Sequence, residues 1–230
     1  MRFELQWVAA LALVIMAGCQ AGGTAALDTD VQKASYAIGR EIGTNFTPNK
    51  DFFDLDALMR GIADALAEAD MAIEADSLVA AKQRVGQLVQ QATMAAQQAL
   101  LDKNAAEGEA FLAENATKEG IMTTDSGLQY EILTQGDGPQ PTATSRVKVH
   151  YRGTLIDGTE FDSSYQHGEP TDFGVGSVIA GFGEGLQLMP VGSHYRFFIP
   201  AGIAYGMQAA GSIIGPNSTL IFEVELQEIL

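Results

Sequence analysis

The spacing of apolar residues changes once along this chain, close to Gly120. Before that point apolar side chains recur every three or four residues, as on one face of a helix. After it they alternate, as in a half-buried strand. Chains with helices first and strands afterwards fold as α+β structures or as separate domains. We therefore expect a helical domain over residues 28–118 and a sheet domain over residues 119–230.

The first domain is predicted to contain two short helices and one long helix. Thr29 to Gln32 has the form of a capping box and opens the first helix, which Pro48 ends. Asp54 is a plausible N-cap for the second. The third runs from about Asp76 to Asn115, and an unbroken helix of that length reaches roughly 60 Å.

The long helix is interpreted as a connecting arm. Its apolar stripe is rich in alanine and too poor in large residues for a long coiled coil. The two short helices have little core of their own, so we expect the domain to pair with a second copy as a homodimer. A monomeric helical hairpin or a frayed arm is the alternative.

The second domain is predicted to be an antiparallel sheet wrapped on a short helix. Asp157-Gly158 is a two-residue hairpin signal, and Phe182 to Met189 is the segment available to form a helix. Glycines within this segment limit its length, because each interior glycine costs about 1 kcal/mol relative to alanine. The side chains expected to point inward from the strands are Leu128, Tyr130, Ile132, Val147, Val149, Tyr151, Tyr195, Phe197, Ile199, Leu220, Phe222, Val224 and Leu226.

The first nineteen residues have the character of an export signal. Val8 to Ala17 is an apolar run too short to span a bilayer. The following Met16-Ala17-Gly18-Cys19 resembles the lipobox of bacterial lipoproteins, whose cysteine is acylated. We expect residues 1–18 to be a signal peptide, Cys19 to be lipidated and residues 19–27 to form a tether. An ordinary secretory signal, or a buried cysteine in an N-terminal helix, is the alternative.

Composition excludes several classes of function. The net charge is -16 and no basic stripe is present, so a nucleic-acid partner is disfavoured. The single cysteine excludes intrachain disulfides and cysteine-cluster metal sites. His150, His167 and His194 lie in different segments without ligand spacing, so we expect no metal. No phosphate-binding loop is present, and no cofactor is expected.

Five motifs follow one another in the second domain. They are Val149-His150-Tyr151-Arg152-Gly153, Asp157-Gly158-Thr159-Glu160-Phe161-Asp162-Ser163-Ser164, Val178-Ile179-Ala180-Gly181-Phe182, Ile199-Pro200-Ala201-Gly202-Ile203-Ala204-Tyr205-Gly206, and Ile213 to Phe222. In order and spacing they resemble the FKBP-type peptidyl-prolyl cis/trans isomerases. The helical half resembles the dimerising N-terminal domain of the macrophage infectivity potentiator subgroup.

This resemblance implies an isomerase that acts on Xaa-Pro bonds of unfolded or folding polypeptides. Tyr205, Asp162 and Tyr151 would be catalytic: Tyr205 would donate to the substrate carbonyl, and the Tyr151 hydroxyl would hold Asp162 near the twisting carbonyl. The backbone N–H of Ile179 would donate to the neighbouring carbonyl. The residues implied to line the proline pocket, or to lie on the loop above it, are Phe161, Val178, Ile179, Phe182, Ile213, Ile214 and Phe222.

Three positions depart from the family pattern. Phe182 stands where most members carry a tryptophan, Thr171 where single-domain members often have an aromatic residue, and Gly215 where short relatives usually have a proline. The first keeps an aromatic ring under the proline. We expect catalysis to be retained and affinity for macrolide inhibitors to be reduced.

The predicted location is the bacterial cell envelope, as a lipoprotein of the outer membrane anchored through Cys19 and facing the periplasm or the surface. The predicted function is assistance of protein folding there by prolyl isomerisation. A non-catalytic periplasmic holdase chaperone that binds unfolded segments is the alternative.

Overall fold

The computed structural model describes residues 25–230. The predicted signal peptide, the lipobox and Cys19 lie outside the described residues. The chain forms two compact units that divide between Val85 and Gly86, within the long helix. In the part of the chain that is described, no helix is long and apolar enough to cross a membrane.

The first unit is helical. It contains α1 (Asp30–Phe46), a 3-10 helix (Thr47–Phe52), α2 (Leu55–Leu66) and the start of α3 (Ala75–Asn115). The predicted capping box at the start of α1 is present: the Thr29 hydroxyl accepts the Gln32 N–H at 3.3 Å, and the Gln32 amide oxygen accepts the Thr29 N–H at 3.0 Å. The Asp54 carboxylate accepts the Ala57 N–H at 2.9 Å and caps α2.

The apolar side chains of this unit are not buried within a single chain. Neither α1 nor α2 has a buried residue. The large apolar side chains exposed on this unit are Leu27, Val31, Tyr36, Ile38, Ile42, Phe53, Leu55, Met59, Ile62, Leu66, Met71, Ile73 and Val79. The unit therefore lacks the core that normally stabilises a helical domain.

The second unit is built on a seven-stranded antiparallel sheet. The strands are β1 (Ile121–Thr123), β2 (Gln129–Thr134), β3 (Arg146–Leu155), β4 (Glu160–Ser163), β5 (Thr171–Gly174), β6 (His194–Ile199) and β7 (Leu220–Ile229). Their order is β1-β2-β6-β7-β3-β4, and β5 also pairs with β3. The last strand in sequence, β7, therefore lies in the middle of the sheet, between β6 and β3.

Two helices follow β4 and β5. They are α4 (Ser164–His167) and α5 (Ala180–Leu188), and 3-10 turns form at Val175–Ser177 and Ala201–Ile203. The fold is thus α+β, with helices first and an antiparallel sheet and short helix afterwards, as the change of period predicted.

Three glycines bring α5 close to its neighbours. A Cβ at Gly181 would lie 2.5 Å from the Ile199 side chain, and a Cβ at Gly185 would lie 2.7 Å from the ring of Phe197. At Gly183 it would lie 2.5 Å from the carbonyl oxygen of Val175. These glycines therefore set the close approach of the helix to the rest of the domain, in addition to limiting its length.

Most of the predicted inward side chains are buried, but β2 is an exception. Ile132 is 38% exposed, and the pairing of β2 with β6 shifts register between Ile132 and Thr134. Ile132 is paired with the buried Tyr195 and faces the same side of the sheet, so it points inward as expected. It is exposed because β1 pairs with β2 only from Gln129 to Glu131, which leaves Ile132 at an open edge of the sheet. Phe198, which the alternation placed on the outer face, is 6% exposed because Phe111 of α3 packs on it at 5.9 Å.

Candidate active site

The hairpin of β3 and β4 holds two of the three predicted catalytic residues together. Its turn is the one predicted at Asp157-Gly158: Gly158 has φ +87° and its N–H donates to the Leu155 carbonyl at 3.0 Å. Across the strands, the Tyr151 hydroxyl donates to the Asp162 carboxylate at 2.7 Å. Tyr151 is buried and Asp162 is exposed. The pair therefore has a ring in the core and a carboxylate at the surface.

Burial raises the pKa of Tyr151 well above its usual value. The hydrogen bond to Asp162 raises this pKa further because it stabilises the protonated hydroxyl. The negative charge of the carboxylate also raises it, because it disfavours the phenolate. The nearby Tyr205 hydroxyl contributes in the same direction. Tyr151 is therefore a hydrogen-bond donor at neutral pH, and Tyr205 lies close to the pair.

Phe182 lies at the centre of a cluster of aromatic rings. It is 3% exposed, and its ring centroid lies 4.8 Å from that of Phe222. Its other ring neighbours are Phe173 at 5.9 Å, Phe197 at 6.2 Å and Tyr151 at 6.4 Å. Edge-to-face and tilted contacts of this kind stabilise aromatic clusters beyond their buried area. Phe161 extends the cluster outward, 5.4 Å from Phe222.

Gly153 makes room for the outer rings of this cluster. A Cβ at this position would lie 2.5 Å from the Phe161 ring and 3.0 Å from the Phe222 ring. Any side chain at residue 153 would displace Phe161. The motif that contains Gly153 does not by itself indicate this role, because the two rings come from two other strands.

Phe173 also belongs to the cluster, although it was not among the residues assigned to the pocket. Its ring lies 5.3 Å from Tyr151, on β5, which pairs with β3. Its alternation with Thr171 was a signal that could have identified it as inward-facing.

Val178 and Ile179 form the entry to α5 and are half-buried against the core. The Ile179 carbonyl accepts the N–H groups of Phe182 and Gly183, both at 3.0 Å. Within residues 25–230 the N–H of Ile179 donates to no carbonyl or side chain, so it is available to a bound ligand.

The segment between β6 and β7 carries the remaining predicted residues. Tyr205 and Ile213 are each 43% exposed, whereas Ile214 is 7% exposed and belongs to the core. Two backbone hydrogen bonds link Ala210 and Ile214 and turn the chain back on itself. Of the two isoleucines assigned to this loop, Ile213 is the one whose side chain reaches solvent.

The histidines described lie away from this cluster. The His150 Nδ1 pairs with the Ser164 hydroxyl at 2.9 Å, and its ring stacks on Tyr165. The His194 Nε2 lies 3.1 Å from the Glu223 carboxylate. Among the described side chains, no group of three or more histidine, cysteine, aspartate or glutamate residues could hold a metal ion.

A cleft of about 510 Å³ also lies within the second unit, between the end of α3 and the sheet. Its lining residues are Ala105, Gly108, Glu109, Leu112, Ala113, Ala116, Gln129, Pro200, Ala201, Asn217 and Thr219. This lining contains no aromatic ring and one titratable side chain. Its chemistry therefore differs from that of the aromatic cluster, which combines apolar walls with hydroxyl and amide donors.

Comparison with known proteins agrees with this arrangement. The model of the FKBP-type peptidyl-prolyl cis-trans isomerase family matches residues 138–227. The model of the domain amino terminal to FKBP-type peptidyl-prolyl isomerase matches residues 31–132.

Curated relatives extend the match over nearly the whole chain. The FKBP-type 22 kDa peptidyl-prolyl cis-trans isomerase of Escherichia coli is 45% identical over 208 residues, covering 90% of this chain and 99% of the relative. The outer membrane protein MIP of Legionella longbeachae is 39% identical over 230 residues, covering 98% and 97%. The crystal structure of FkpA from Escherichia coli superimposes with a TM-score of 0.74 at 33% identity, covering 89% of this chain and 98% of that one. On these matches, the chain belongs to the FKBP-type peptidyl-prolyl cis-trans isomerases.

Proposed function

We propose that the aromatic cluster around Phe182 is the proline-binding pocket of this peptidyl-prolyl cis/trans isomerase. The isomerase domain is taken as residues 119–230, which include all seven strands. The observation that carries the proposal is the hydrogen bond between Tyr151 and Asp162 at the edge of the buried aromatic rings, with Tyr205 near the pair.

The chemistry follows from the amide bond. Resonance gives the peptide bond a rotation barrier of about 18 to 20 kcal/mol, so Xaa-Pro bonds isomerise over tens to hundreds of seconds. The twisted transition state has lost this resonance and is less polarised than either planar form. A dry apolar pocket therefore binds the twisted form better, and this difference in binding accelerates the reaction.

Two donors hold the substrate backbone in this mechanism. The Tyr205 hydroxyl donates to one substrate carbonyl, and the Ile179 N–H donates to the neighbouring one. Phe161, Val178, Phe182 and Phe222 surround the proline ring, and Ile213 covers it from the loop. Ile214 supports that loop from the core.

The Tyr151–Asp162 pair acts near the carbonyl that rotates. The Tyr151 hydroxyl fixes the Asp162 carboxylate at 2.7 Å, so the carboxylate does not need to reorganise during the reaction. No proton transfer to the substrate is required, since no covalent bond forms or breaks. No metal and no cofactor take part in this mechanism.

An isomerisation assay on a short Xaa-Pro peptide tests the proposal. Residues 20–230 should accelerate relaxation of the peptide, and Tyr205→Phe should lower kcat/KM about tenfold because one carbonyl loses its donor. Tyr165→Phe is the matched control, because Tyr165 is also exposed but stacks on His150 away from the pocket. Equal rates with wild-type protein and with buffer would falsify the proposal, and equal losses in both variants would exclude the role of Tyr205.

A non-catalytic holdase is the less favoured function. It needs the apolar pocket but has no use for the ordered pair of Tyr151 and Asp162. Suppression of client aggregation without any peptide isomerisation would be the evidence in its favour.

We also propose that the helical unit forms a homodimer. The apolar side chains of α1 and α2 are exposed in a single chain, and a second copy is the partner whose matching faces bury them symmetrically. Light scattering of residues 20–230 at micromolar concentration should give twice the chain mass. Ile38→Asp, on the apolar face of α1, should give monomers, while Lys33→Asp on the opposite face should not. A monomer mass for the unmodified chain excludes the dimer.

The location proposed is the bacterial envelope, with a lipid anchor on Cys19. The lipobox-like sequence supports it, as does the name of the relative called outer membrane protein MIP. Expression of the full chain with labelled palmitate in a bacterial host should label the protein and place it in the outer-membrane fraction. Cys19→Ala should lose both label and membrane association, whereas an unlabelled wild-type protein in the periplasm indicates an ordinary secretory signal.

A further inference from the structure

The segment from Tyr205 to Thr219, called the substrate loop here, contacts the C-terminal part of α3. The loop is closed by a hydrogen bond of 2.8 Å from the Asn217 N–H to the Gly206 carbonyl. It presents to solvent Tyr205 and Ile213, two of the side chains assigned to the proposed site. Fifteen residues without regular structure need support if these two side chains are to keep fixed positions.

Two asparagine side chains join the loop to α3. The Asn104 amide donates to the Pro216 carbonyl at 2.7 Å, and the Asn217 amide donates to the Leu101 carbonyl at 3.4 Å. Both partners of the first bond are half-buried or buried. Each bond links residues more than a hundred positions apart in sequence, so it is a tertiary contact and not part of a local turn.

Glycines allow this approach from both sides. A Cβ at Gly215 would lie 3.0 Å from the Asn104 amide nitrogen, so a side chain there would press on the donor. A Cβ at Gly108 of α3 would lie 2.4 Å from the Thr219 hydroxyl. The loop and the helix therefore pack closely against each other at both ends of the contact.

The helix has a second attachment that does not involve the loop. The Asn115 amide donates to the Gln129 side chain at 3.0 Å, and Gln129 donates to the Leu112 carbonyl at 2.9 Å. This attachment fixes α3 to β2, close to the contact between Phe111 and Phe198. Loss of the Asn104 bond therefore leaves the helix docked and weakens the attachment of the loop to it.

We propose that Asn104 is a positioning residue for the isomerase reaction: from outside the sheet domain, it holds the substrate loop so that Tyr205 and Ile213 stay over the aromatic pocket. This inference rests on the proposed function of Tyr205 and Ile213. Asn104 does not touch the substrate, and its effect reaches the reaction through the Pro216 carbonyl and the loop.

The test compares two variants of Asn104 with a control in the full soluble chain. Asn104→Ala removes the donor. Asn104→Asp keeps the shape but places a carboxylate oxygen against the Pro216 carbonyl. Asn115→Ala is the control, because it weakens the attachment of α3 without touching the loop.

The first readout is hydrogen exchange of the Ile214 and Asn217 amides, relative to the Val224 amide in the centre of the sheet. Loss of one net hydrogen bond should raise exchange in the loop about three- to tenfold in both Asn104 variants. The second readout is kcat/KM for a short Xaa-Pro peptide, which should fall by a similar factor. In Asn115→Ala the ratio of loop to sheet exchange should stay within twofold of wild type.

Three results overturn the inference. They are loop exchange within twofold of wild type in both Asn104 variants, raised exchange with unchanged kcat/KM, and an equal effect of Asn115→Ala on the loop. Hydrogen exchange is measured without substrate. An inactive wild-type protein would thus count against the proposed function, while the exchange data would still report on the contact between Asn104 and the loop.

Discussion

The hydroxyl of Tyr151 and the carboxylate of Asp162 lie 2.7 Å apart on neighbouring strands, with the tyrosine ring in the core and the carboxylate at the surface. Tyr151→Phe removes this bond and leaves the ring in place. We expect the free energy of unfolding to fall by about 1 kcal/mol. We expect kcat/KM to fall about tenfold, because Asp162 is no longer held near the rotating carbonyl.

Tyr195→Phe is the matched control for this change. Tyr195 is also buried, and its hydroxyl donates to the Gln135 side chain at 2.9 Å, away from the pocket. Its loss of stability should be similar, while its kcat/KM should stay within twofold of wild type. If both variants lose activity equally, the Tyr151–Asp162 bond has a structural role alone.

Phe182 should be sensitive to both the size and the shape of its replacement. Phe182→Ala would remove the ring that contacts four others and lower the free energy of unfolding by about 3 to 5 kcal/mol. Leucine is the better test because it removes less of the packing. Phe182→Leu should destabilise the domain by about 1 to 2 kcal/mol and weaken peptide binding. Phe182→Trp should preserve binding, with a loss of about 1 to 3 kcal/mol if the cluster cannot expand.

Chemical denaturation and peptide titration measure these two effects separately. Phe198→Leu is the control, since Phe198 is buried on the other face of the sheet against Phe111. It should lose stability but keep peptide affinity. Unchanged affinity in Phe182→Leu would mean that this ring does not form the floor of the pocket.

Gly185 should not tolerate the substitution that normally stabilises a helix. Gly→Ala in a helix interior usually stabilises by about 0.5 to 1 kcal/mol. At Gly185 the new methyl would lie 2.7 Å from the Phe197 ring, so we expect a loss of about 1 to 3 kcal/mol instead. Gly86→Ala in α3 meets no atom within 4 Å and should be neutral or stabilising. Thermal unfolding followed by near-UV circular dichroism distinguishes the two, and a stable Gly185→Ala would contradict the close packing of α5.

Stability should fall at alkaline pH because two tyrosines, the buried Tyr151 and the half-exposed Tyr165, stay protonated in the folded state. Burial and the Asp162 contacts raise the pKa of Tyr151, and burial and Glu225 raise the pKa of Tyr165 to about 12. The ordinary tyrosine pKa is 10.0. Above that pH the unfolded chain loses protons that the folded chain retains, so the free energy of unfolding decreases as pH rises.

Urea denaturation at pH 8, 9, 10 and 11 measures this slope. Tyr151→Phe should make the decline above pH 10 shallower and leave the dependence between pH 8 and 9 unchanged. An identical slope in wild type and variant above pH 10 would rule out Tyr151 as a source of the alkaline destabilisation.

Local chemistry made part of this fold predictable. The capping box at Thr29 and Gln32, the cap at Asp54 and the turn at Asp157-Gly158 each depend on residues within four positions of one another. The alternation in β7 was equally informative, since Leu220, Phe222, Val224 and Leu226 are all buried. Such signals are independent of which distant segment packs nearby.

Features that depend on distant partners were not predicted. Phe198 is buried because α3 covers the second face of the sheet, and Ile132 is exposed because β1 pairs with β2 only as far as Glu131. The glycines of α5 were interpreted as limits on helix length, and their close approach to Phe197 and Ile199 became visible in three dimensions.

In the candidate site, too, some features could be predicted from the sequence and others depend on distant residues. The Tyr151–Asp162 pair was expected from family resemblance, and the two side chains are in contact. Gly153 received no role, because its importance comes from rings contributed by other residues. Gly215, one of the departures from the family pattern, lies where the Asn104 amide approaches the loop.

The central position of β7 has a consequence for the order in which the domain can form. Both long neighbours of this strand, β3 and β6, are made before it, and neither pairs with the other. The sheet therefore cannot close until residues 220–229 have emerged from the ribosome. Until then the facing edges of β3 and β6 have no partner strand, so the sheet forms only when synthesis of the domain is nearly complete.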